Sequence, residues 1–403
     1  MASIPTADWG DILLSGGQVL MDGRLERKDI LVRDGKLAAI GSLETSESQV
    51  GIDCGGKIII PGLIDAHVHM RDPGLTHKED FRSGTRAAAA GGVTTVLDMP
   101  NTRPPTLTVE DLDVKRGIAR EKTVVNFGFH FGASTTNLPE IRRANGVAST
   151  KIFMNHSTGD MRIEDAALLE GIFRASKMVM AHAEGENIRV AVELARKTGK
   201  RLHLAHISRA GEMDWLGRNK GANITCEVTP HHLLLDGNGD PILEVRPPLN
   251  TQKDKEALWA GIKSGLVDTI GSDHAPHLPE EKTAGGVYGL PGVETMLPLM
   301  LDAVNGGKLT LGRLVRLCSE NPARIFNIQN KGIIKEGYDA DLVVVDMGEE
   351  RKVGRLFTKC GWSPYKDRLL RGWPETTIVG GVIVYDKGRV KDKSAGKEVV
   401  YIN

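Results

Sequence analysis

Short segments in which apolar and polar residues alternate occupy both ends of this 403-residue chain. From Asp11 to Ile60 such segments are separated by the hairpin signals MDG and RDG. Near the other end, the segments GYDADLVVVDMG and TTIVGGVIVYDKGRV show the same alternation and contain a Gly-Gly turn. The pattern therefore predicts one small β-sandwich that is assembled from residues 1–60 and residues 331–403.

The middle of the chain, residues 61–330, alternates short apolar runs with helix-like stretches rich in Ala, Leu, Lys and Glu. Strands that alternate with helices indicate a parallel sheet, and eight of them indicate closure into a (β/α)8 barrel. The eight runs are LIDAHVHM, TTVLDMP, VNFGFHFG, KIFMN, MVMAHAE, LHLAHIS, ITCEVTP and DTIGSDHAP. The predicted fold class is therefore α/β, a TIM-like (β/α)8 barrel with a small β-sandwich domain formed by both chain ends.

Polar residues collect near the C-terminal ends of these apolar runs. In a (β/α)8 barrel this end carries the active site, because the following loops leave room for a ligand while side chains fill the interior below. The residues concerned are His67, His69, Asp98, Asn101, His130, Lys151, His182, Glu184, His206, Glu227 and Asp273. The pattern therefore predicts one convergent site.

Composition narrows the class of ligand. The 52 basic and 52 acidic residues cancel, so the chain lacks the basic footprint that nucleic acid or an anionic membrane selects. No apolar run approaches the length of about 18 residues that indicates a membrane span, and the start MASIPTADWGDILLSGG does not have the pattern of a signal peptide. The four cysteines lie far apart, which argues against a disulfide framework and a cysteine zinc site. We expect a cytoplasmic protein with a small-molecule ligand.

The residue types at the predicted site are those of metal ligands. His67 and His69 are two positions apart, so on a strand both side chains point to the same side and can reach one metal ion. His182 and His206 end two other runs and Asp273 ends another, which adds imidazole and carboxylate ligands suited to zinc. A single histidine of this kind is more simply explained as a hydrogen-bonded core residue. The five groups together favour a metal site.

Lys151 stands inside an apolar run, where a lysine must be paired or lose its charge. Burial lowers the pKa of an amine, and a neutral amine can react with carbon dioxide to give a carbamate that bridges two cations. Lys151 is therefore a candidate N6-carboxylysine that is shared between two metal ions about 3.5–4 Å apart. The alternative is a lysine whose ammonium reaches out to the barrel mouth.

A set of strings spread from about Ile60 to Asp346 resembles one known family. The strings are DAHVHMRDPG, DMPNT, HAEGEN, CEVTPHHL, VRPPLN, SDHAPH, YGLPGVETMLPLML and NPARIF. They are similar to the dihydroorotase family of the amidohydrolase superfamily. The H-x-H pair and the Asp after the eighth strand are shared by the whole superfamily, whereas Arg71 and His277 are closer to dihydroorotases. TKIFMN is similar to the lysine-bearing members rather than to those with aspartate at the bridging position.

The resemblance implies a zinc enzyme that converts N-carbamoyl-L-aspartate reversibly into L-dihydroorotate and water, the third step of de novo pyrimidine synthesis. It implies two zinc ions, with these ligands: His67, His69 and Asp273 for one, His182 and His206 for the other, and carboxylated Lys151 between them. It implies these substrate contacts: Arg71, Asn101, Arg246, His277, and backbone groups of Tyr288 and Gly289. Asp273 is in addition the expected proton-transfer catalyst. Glu227 matches a position where some relatives hold a further metal, and a carboxylate that orients a histidine ligand fits equally well.

The resemblance leaves alternatives open. An allantoinase or a hydantoinase would use the same metals on rings without the exocyclic carboxylate, and HSTGDM is similar to allantoinase loops. This loop predicts either a lid over the substrate or a surface turn around Gly159. Arg71 favours the dihydroorotase, because a guanidinium binds a carboxylate through paired hydrogen bonds. A non-catalytic partner protein would be expected to lack metal ligands that this chain keeps.

Two further points complete the expectations. A homodimer or a higher homo-oligomer stays open. The remaining histidines near the site are predicted to be structural or to support the ligands: His130, His156, His203, His231, His232 and His274.

Overall fold

The structure is a computed structural model that describes residues 11–43, 50–156, 161–237, 239–391 and 394–402. The described residues of the N-terminal part form seven short strands. They are β1 (Ile12–Ser15), β2 (Gln18–Met21), β3 (Arg24–Arg27), β4 (Asp29–Arg33), β5 (Lys36–Gly41), β6 (Val50–Asp53) and β7 (Ile58–Pro61). Within these ranges, no helix combines the length and the apolar character that a membrane crossing requires.

The middle of the chain alternates strands with helices. The elements are β8 (Leu63–Val68), α1 (Phe81–Ala90), β9 (Val93–Asp98), α2 (Val109–Lys122), β10 (Asn126–Phe129), β11 (Phe131–Gly132), α3 (Leu138–Arg143), β12 (Thr150–Phe153), α4 (Ala166–Ala175), β13 (Met178–His182), α5 (Glu186–Thr198), β14 (Arg201–Leu204), α6 (Ala210–Asn219), β15 (Ile224–Val228), α7 (Pro230–Leu234), α8 (Gln252–Ser264) and β16 (Thr269–Ile270). A 3-10 helix covers Pro241–Leu243.

Helices and then strands complete the chain. They are α9 (Pro279–Ala284), α10 (Met296–Asn305), α11 (Leu311–Val315), α12 (Asn321–Ile325), β17 (Leu342–Lys352), β18 (Leu369–Val379), β19 (Val382–Asp386) and β20 (Arg389–Val390). A π-helical turn, Arg316–Glu320, joins α11 to α12.

The strands from β8 to β16 form a closed barrel. Parallel pairing gives the order β10-β9-β8 in one sheet and β11-β12-β13-β14-β15-β16 in the other, and His130 lies between β10 and β11. A parallel bridge joins Val68 to His274, and His69 N donates to His274 O at 2.7 Å. Each of the eight predicted runs therefore contributes to the barrel wall, and the predicted (β/α)8 fold is confirmed.

Local sequence sets how the barrel elements begin. All six residues of β8 are buried, as expected of a strand covered by barrel side chains on one face and helices on the other. Asp80 caps α1, since its side chain accepts from Ser83 N at 2.8 Å while Asp80 N donates to Ser83 Oγ at 3.3 Å. The loop between His69 and Asp80 is thereby held between a buried strand and a capped helix.

Both chain ends meet in a two-sheet β-sandwich, as the alternating patterns predict. One sheet has the order β5-β4-β1-β6 and the other the order β20-β19-β18-β17-β7-β2-β3. Strand β7 from the N-terminal part pairs with β17 from the C-terminal part, with Ile59 opposite Val344. Apolar side chains from both sheets, including Leu14, Val32 and Ile378, fill the space between them.

Two segments of the C-terminal part leave the sandwich and contact the barrel. The tail, residues 394–402, lies beside β10, where Phe127 N donates to Lys397 O at 3.0 Å. The segment between β17 and β18 reaches the C-terminal end of the barrel, where Trp362 Nε1 donates to His277 O at 2.8 Å. The domain limits 1–60, 61–330 and 331–403 stay a prediction, to which these two contacts add detail.

Candidate active site

A pocket lies at the C-terminal ends of the barrel strands. It is lined by His67, His69, Arg71, Asn101, Lys151, Phe153, His182, His206, Arg246, Asp273, Ala275, Tyr288 and Gly289. The lining contains all the predicted metal ligands and every predicted substrate contact except His277, which contacts Arg71. Glu227 lies outside the lining and contacts His67. Asp98, His130 and Glu184, which were also predicted to lie at this site, are not part of the lining.

Three of the predicted metal ligands form a compact group, which we call the Asp273 side: His67, His69 and Asp273. One potential ligand atom of each lies within 4.8 Å of those of the other two. Asp273 Oδ1 is 3.3 Å from His67 Nε2 and 3.1 Å from His69 Nε2. All three residues are buried, so the group has the donor atoms and the shielding from water of a metal site.

Outer partners orient both histidines of the Asp273 side. His67 Nδ1 donates to Glu227 Oε1 at 2.7 Å, and His69 Nδ1 donates to Asn101 Oδ1 at 2.7 Å. With the proton on Nδ1, each Nε2 keeps a lone pair that points to Asp273, which is the arrangement of metal-binding histidines. A Cβ at Gly271 would lie 2.4 Å from Glu227 Oε2, so the absence of a side chain at Gly271 makes room for this carboxylate.

The other predicted ligands form a second group, the Lys151 side: Lys151, His182 and His206. Lys151 is fully buried, and among the described residues its Nζ has no hydrogen-bond partner. His206 Nδ1 is likewise without one, whereas His206 Nε2 lies 3.0 Å from His182 Nδ1. Burial lowers the pKa of Lys151 to about 8. A buried polar atom without a partner costs about 1–3 kcal/mol, so this group fits an ion and a carbamate that would satisfy it.

Three site residues have left-handed backbone conformations just beyond strand ends. The φ angles are 59° at Arg71, 38° at His206 and 44° at Asp273. Such conformations cost about 1–3 kcal/mol in residues other than glycine and persist where surrounding contacts hold them. At these positions the turn away from the strand directs an arginine, a histidine and an aspartate into one pocket.

The predicted substrate contacts form one connected group beside the Asp273 side. Arg71 is buried, and its Nε donates to Pro276 O at 3.2 Å while its Nη2 lies 3.0 Å from His277 Nε2. His277 Nε2 is also 3.1 Å from Tyr288 O. The Arg246 guanidinium stacks over the Tyr288 ring at 4.4 Å. A carboxylate that entered this pocket would therefore meet a buried guanidinium.

Sequence reasoning missed Lys78, which lies next to this group. Lys78 is buried, with Nζ 3.0 Å from His277 Nδ1 and 2.9 Å from Glu281 Oε1. Lys78 belongs to the short charged run KED, and such a run is more often a solvated surface than a buried contact. The one sequence feature that could have indicated Lys78 is its position seven residues after Arg71, which places both residues in one loop.

Asp98, which was predicted to lie at the site, and Lys115, which was not, support the backbone between His69 and Arg71. Asp98 Oδ1 accepts from Met70 N at 2.7 Å, and Asp98 Oδ2 forms an ion pair with Lys115 Nζ at 2.5 Å. Lys115 lies in helix α2 and is fully buried. Nothing in the local pattern of α2 distinguishes Lys115 from its solvated neighbours, so sequence alone gave no reason to select it.

The six histidines predicted to be structural or supporting are not part of the pocket lining. His130 Nε2 donates to Ala66 O at 2.9 Å, His203 Nδ1 lies 2.8 Å from Thr225 Oγ1, and His232 Nε2 donates to Pro247 O at 3.0 Å. The ring centroid of His156 is 6.1 Å from that of Tyr288, and the ring centroid of His231 is 4.4 Å from that of His232. His274 accepts a hydrogen bond from Gly292 N at 3.1 Å. The predicted lid or turn around Gly159 lies in residues 157–160, outside the described residues.

Comparison with known proteins gives a consistent picture. The model of the amidohydrolase family matches residues 58–384. The chain is 37% identical to the dihydroorotase of Pyrococcus furiosus, over 95% of this chain and 95% of that protein. It is 39% identical to the dihydroorotase of Pyrococcus abyssi, over 95% of this chain and 97% of that protein. The dihydroorotase of Brevibacillus brevis is 36% identical, over 93% and 99% respectively.

Solved structures with the same fold include hydantoinases. The L-hydantoinase (dihydropyrimidinase) from Arthrobacter aurescens superposes with a TM-score of 0.92 and 31% identity, over 97% of this chain and 100% of that chain. The dihydropyrimidinase from Brevibacillus agri superposes with a TM-score of 0.87 and 25% identity, over 96% and 97% respectively.

Proposed function

This chain belongs to the amidohydrolase family, and from that premise we propose that it is a dihydroorotase, which interconverts N-carbamoyl-L-aspartate and L-dihydroorotate with loss or gain of water. Relatives at 36–39% identity along nearly the whole chain carry that name. The single observation that carries the proposal is the buried guanidinium of Arg71 in the pocket that also contains His67, His69 and Asp273. A hydrolytic centre with an adjacent buried cation suits a cyclic amide that bears a carboxylate.

We assign the residues of the two sides to two zinc ions. In this proposal His67, His69 and Asp273 hold one ion, His182 and His206 hold the other, and Lys151 is shared. Among the described residues, neither the buried Nζ of Lys151 nor Nδ1 of His206 has a hydrogen-bond partner. This supports the assignment, since imidazole and carboxylate groups are zinc ligands. When bound, zinc ions lower the pKa of a water from 15.7 toward about 7 and polarise the carbonyl group under attack.

The role of Lys151 requires a covalent change. Its neutral amine forms a bond from Nζ to the carbon of carbon dioxide and loses a proton, which leaves a carbamate with two oxygen ligands. Burial supports this step, because it lowers the pKa of Lys151 to about 8 and so raises the share of neutral amine at neutral pH. The oxygens of the carbamate would also bring hydrogen-bond acceptors into the buried space around Nζ, which has no hydrogen-bond partner among the described residues.

The chain's own side chains would then bind the ring and move the proton. Arg71 and His277 bind the exocyclic carboxylate, while backbone groups of Tyr288 and Gly289 hold the ring. In the hydrolytic direction the oxygen of water joins the ring carbonyl carbon and the ring C–N bond breaks. Asp273 takes the proton of that water and delivers it to the departing ring nitrogen. The reverse sequence closes carbamoyl-aspartate to dihydroorotate.

A hydantoinase is the second candidate, which the fold match to the L-hydantoinase favours. The ring of hydantoin does not carry the exocyclic carboxylate, so Arg71 would have no anion to bind there. The buried guanidinium therefore favours the dihydroorotase. The involvement in pyrimidine synthesis and the cytoplasmic location stay predictions.

One coupled measurement tests both candidates. Zinc per chain is measured on the same sample as turnover of dihydroorotate, hydantoin, dihydrouracil and allantoin. We expect two zinc ions and a strong preference for dihydroorotate. In Arg71→Met, loss of the charge-assisted hydrogen bonds should raise the KM for dihydroorotate about 10–100-fold at unchanged zinc content. A preference for hydantoin that Arg71→Met leaves intact would replace the dihydroorotase by the second candidate.

A further inference from the structure

His277 is a buried histidine beside the pocket. Its two ring nitrogens face three polar groups, which cannot all form hydrogen bonds with the ring at the same time. His277 Nδ1 lies 3.0 Å from Lys78 Nζ, and His277 Nε2 lies 3.0 Å from Arg71 Nη2 and 3.1 Å from Tyr288 O. An ammonium and a guanidinium can only donate a hydrogen bond, and a carbonyl oxygen can only accept one. The protonation state of the ring therefore decides which contacts are hydrogen bonds.

The three states of the His277 ring satisfy different numbers of contacts. With the proton on Nε2, Nδ1 accepts from Lys78 and Nε2 donates to Tyr288 O, so two contacts are satisfied. With the proton on Nδ1, only the contact with Arg71 is satisfied, and the nearest carboxylate oxygen of Glu281 is 3.8 Å away. A doubly protonated ring satisfies only the contact with Tyr288 O and faces two cations. The neutral form with the proton on Nε2 is therefore favoured.

Electrostatics agree with a neutral ring. Burial, followed by the charges of Arg71, Lys78 and Lys282, holds the pKa of His277 far below its ordinary value. Lys78 itself is paired, because its Nζ is 2.9 Å from Glu281 Oε1.

The loop structure ties Lys78 to Arg71. Leu75 N donates to Arg71 O at 3.0 Å, and Lys78 N donates to Leu75 O at 3.0 Å. The other partner of Lys78 is also anchored, since Glu281 Oε2 accepts from Leu278 N at 3.0 Å near the start of α9. Lys78 is therefore held between the loop that carries Arg71 and the loop that carries His277.

We propose that Lys78 is a positioning residue for the carboxylate of the substrate. By donating to Nδ1 of His277, it keeps the proton on Nε2, so that Arg71 Nη2 and His277 Nε2 both present hydrogen-bond donors 3.0 Å apart. Tyr288 O accepts from Nε2 in this structure, and a carboxylate oxygen that enters beside Arg71 is suited to accept from both donors. The identity of this ligand rests on the proposed function, whereas the tautomer does not.

Lys78 thereby becomes a determinant of specificity. Without its donation, the proton of His277 can move to Nδ1, and Nε2 then accepts from Arg71. The lone pair of Nε2 would face the incoming carboxylate, and Arg71 would be occupied. Rings without an exocyclic anion would be affected much less, because they do not use this pair of donors.

Three variants separate this role from a merely structural one. Lys78→Met removes the donor at similar side-chain length, and Lys78→Arg retains a donor. Arg103→Met is the matched control, because Arg103 is an exposed cation near enough to affect the pKa of Lys78 but, in the described part of the chain, forms no hydrogen bond or ion pair with His277. Nitrogen NMR of protein labelled with ¹⁵N in the histidine rings reports the tautomer, and His277→Gln assigns the signal of His277.

The expected spectra and kinetics go together. The wild type, Lys78→Arg and Arg103→Met should show the proton of His277 on Nε2, and Lys78→Met should show it on Nδ1 or exchanging between the two nitrogens. Lys78→Met should also raise the KM for dihydroorotate about tenfold, with a smaller change in kcat and unchanged zinc content. Lys78→Arg should restore most of the wild-type KM.

Two outcomes would overturn the proposal. The first is a wild-type spectrum with the proton on Nδ1, which needs no variant and so remains decisive if Lys78→Met does not fold. The second is a folded Lys78→Met that keeps both the wild-type tautomer and the wild-type KM. If the wild type does not turn over dihydroorotate but Lys78→Met still shifts the tautomer, the proposed function fails and the positioning of His277 by Lys78 stands.

Discussion

The two sides of the candidate metal centre differ in how far the protein satisfies their polar atoms. On the Asp273 side, His67 and His69 donate outward to Glu227 and Asn101, and their inner nitrogens lie near Asp273. On the Lys151 side, Nζ of the lysine has no hydrogen-bond partner among the residues that the structure describes, and neither does Nδ1 of His206. Both sides are buried.

This contrast teaches which part of the site is built by the fold and which part is completed on binding. The Asp273 side is preorganised, because carboxylate and amide partners hold its imidazoles in one tautomer. The Lys151 side carries an energetic cost of about 1–3 kcal/mol for each unsatisfied buried group, which a bound ion and a carbamate would remove. Binding and folding should therefore be coupled more strongly on the Lys151 side.

The largest effect on activity is expected from a substitution at the centre of the Asp273 side. In Asp273→Asn, the carboxylate that transfers the proton is replaced by an amide that cannot accept it. We expect kcat to fall by about 10²–10⁴-fold, the range typical of general acid–base residues, as measured by turnover of dihydroorotate. Thermal unfolding serves as the control for folding. A variant that kept more than half of the wild-type kcat would exclude the assigned role.

The next largest effect is expected from a substitution on the Lys151 side. Lys151→Ala removes the amine that would form the carbamate, so one of two zinc ions should be lost. Activity should fall by more than the roughly 10–100-fold that is typical of outer-shell partners. Elemental analysis and turnover on the same sample check both parts. Two zinc ions per chain together with full activity would show that Lys151 is not the shared ligand.

A smaller effect is expected when the hydrogen bond from His67 to Glu227 is weakened. Glu227→Gln keeps an acceptor for His67 Nδ1 but removes the charge, and Glu227→Leu removes both. Zinc affinity should weaken in that order, by about 10–100-fold for the leucine variant. Competition with a chelator measures it. Equal affinities in the wild type and both variants would mean that Glu227 does not orient the ligand.

The smallest effect is a change in the stability of the chelator-treated, metal-free protein. Burial lowers the pKa of Lys151 from 10.5 to about 8, so between these values the unfolded chain binds more protons than the native one. The free energy of unfolding should therefore rise with pH across this window, whereas below pH 8 the penalty of the buried ammonium is fully present.

Lys151→Met is the matched variant for this measurement. Because methionine does not bury a charge, the metal-free variant should be about 1–3 kcal/mol more stable than the wild type at pH 7. The difference should shrink toward pH 10.5, as followed by urea unfolding. Parallel curves at all pH values would contradict the assigned cost.

Some features of the fold and the site could be predicted from the sequence, and others could not. The eight apolar runs predicted the barrel strands, because a strand covered on both faces is apolar along its length whatever its neighbours are. The spacing of His67 and His69 predicted a shared ligand, since side chains two positions apart point to one side of a strand. Roles for Lys78, Asp98 and Lys115 were not predicted, because their partners lie in other loops and helices.

The sequence by itself determined the order of strands and helices, the pairing of both chain ends in a sandwich, and the collection of histidines, lysine and aspartate at one end of the barrel. These features follow from local periodicity. Only the tertiary structure decided that Glu227 holds His67, that Arg71 lies beside His277, and that a lysine from a charged run is buried against that histidine. Such contacts join residues up to 206 positions apart, and their hydrogen bonds depend on distances that no local pattern contains.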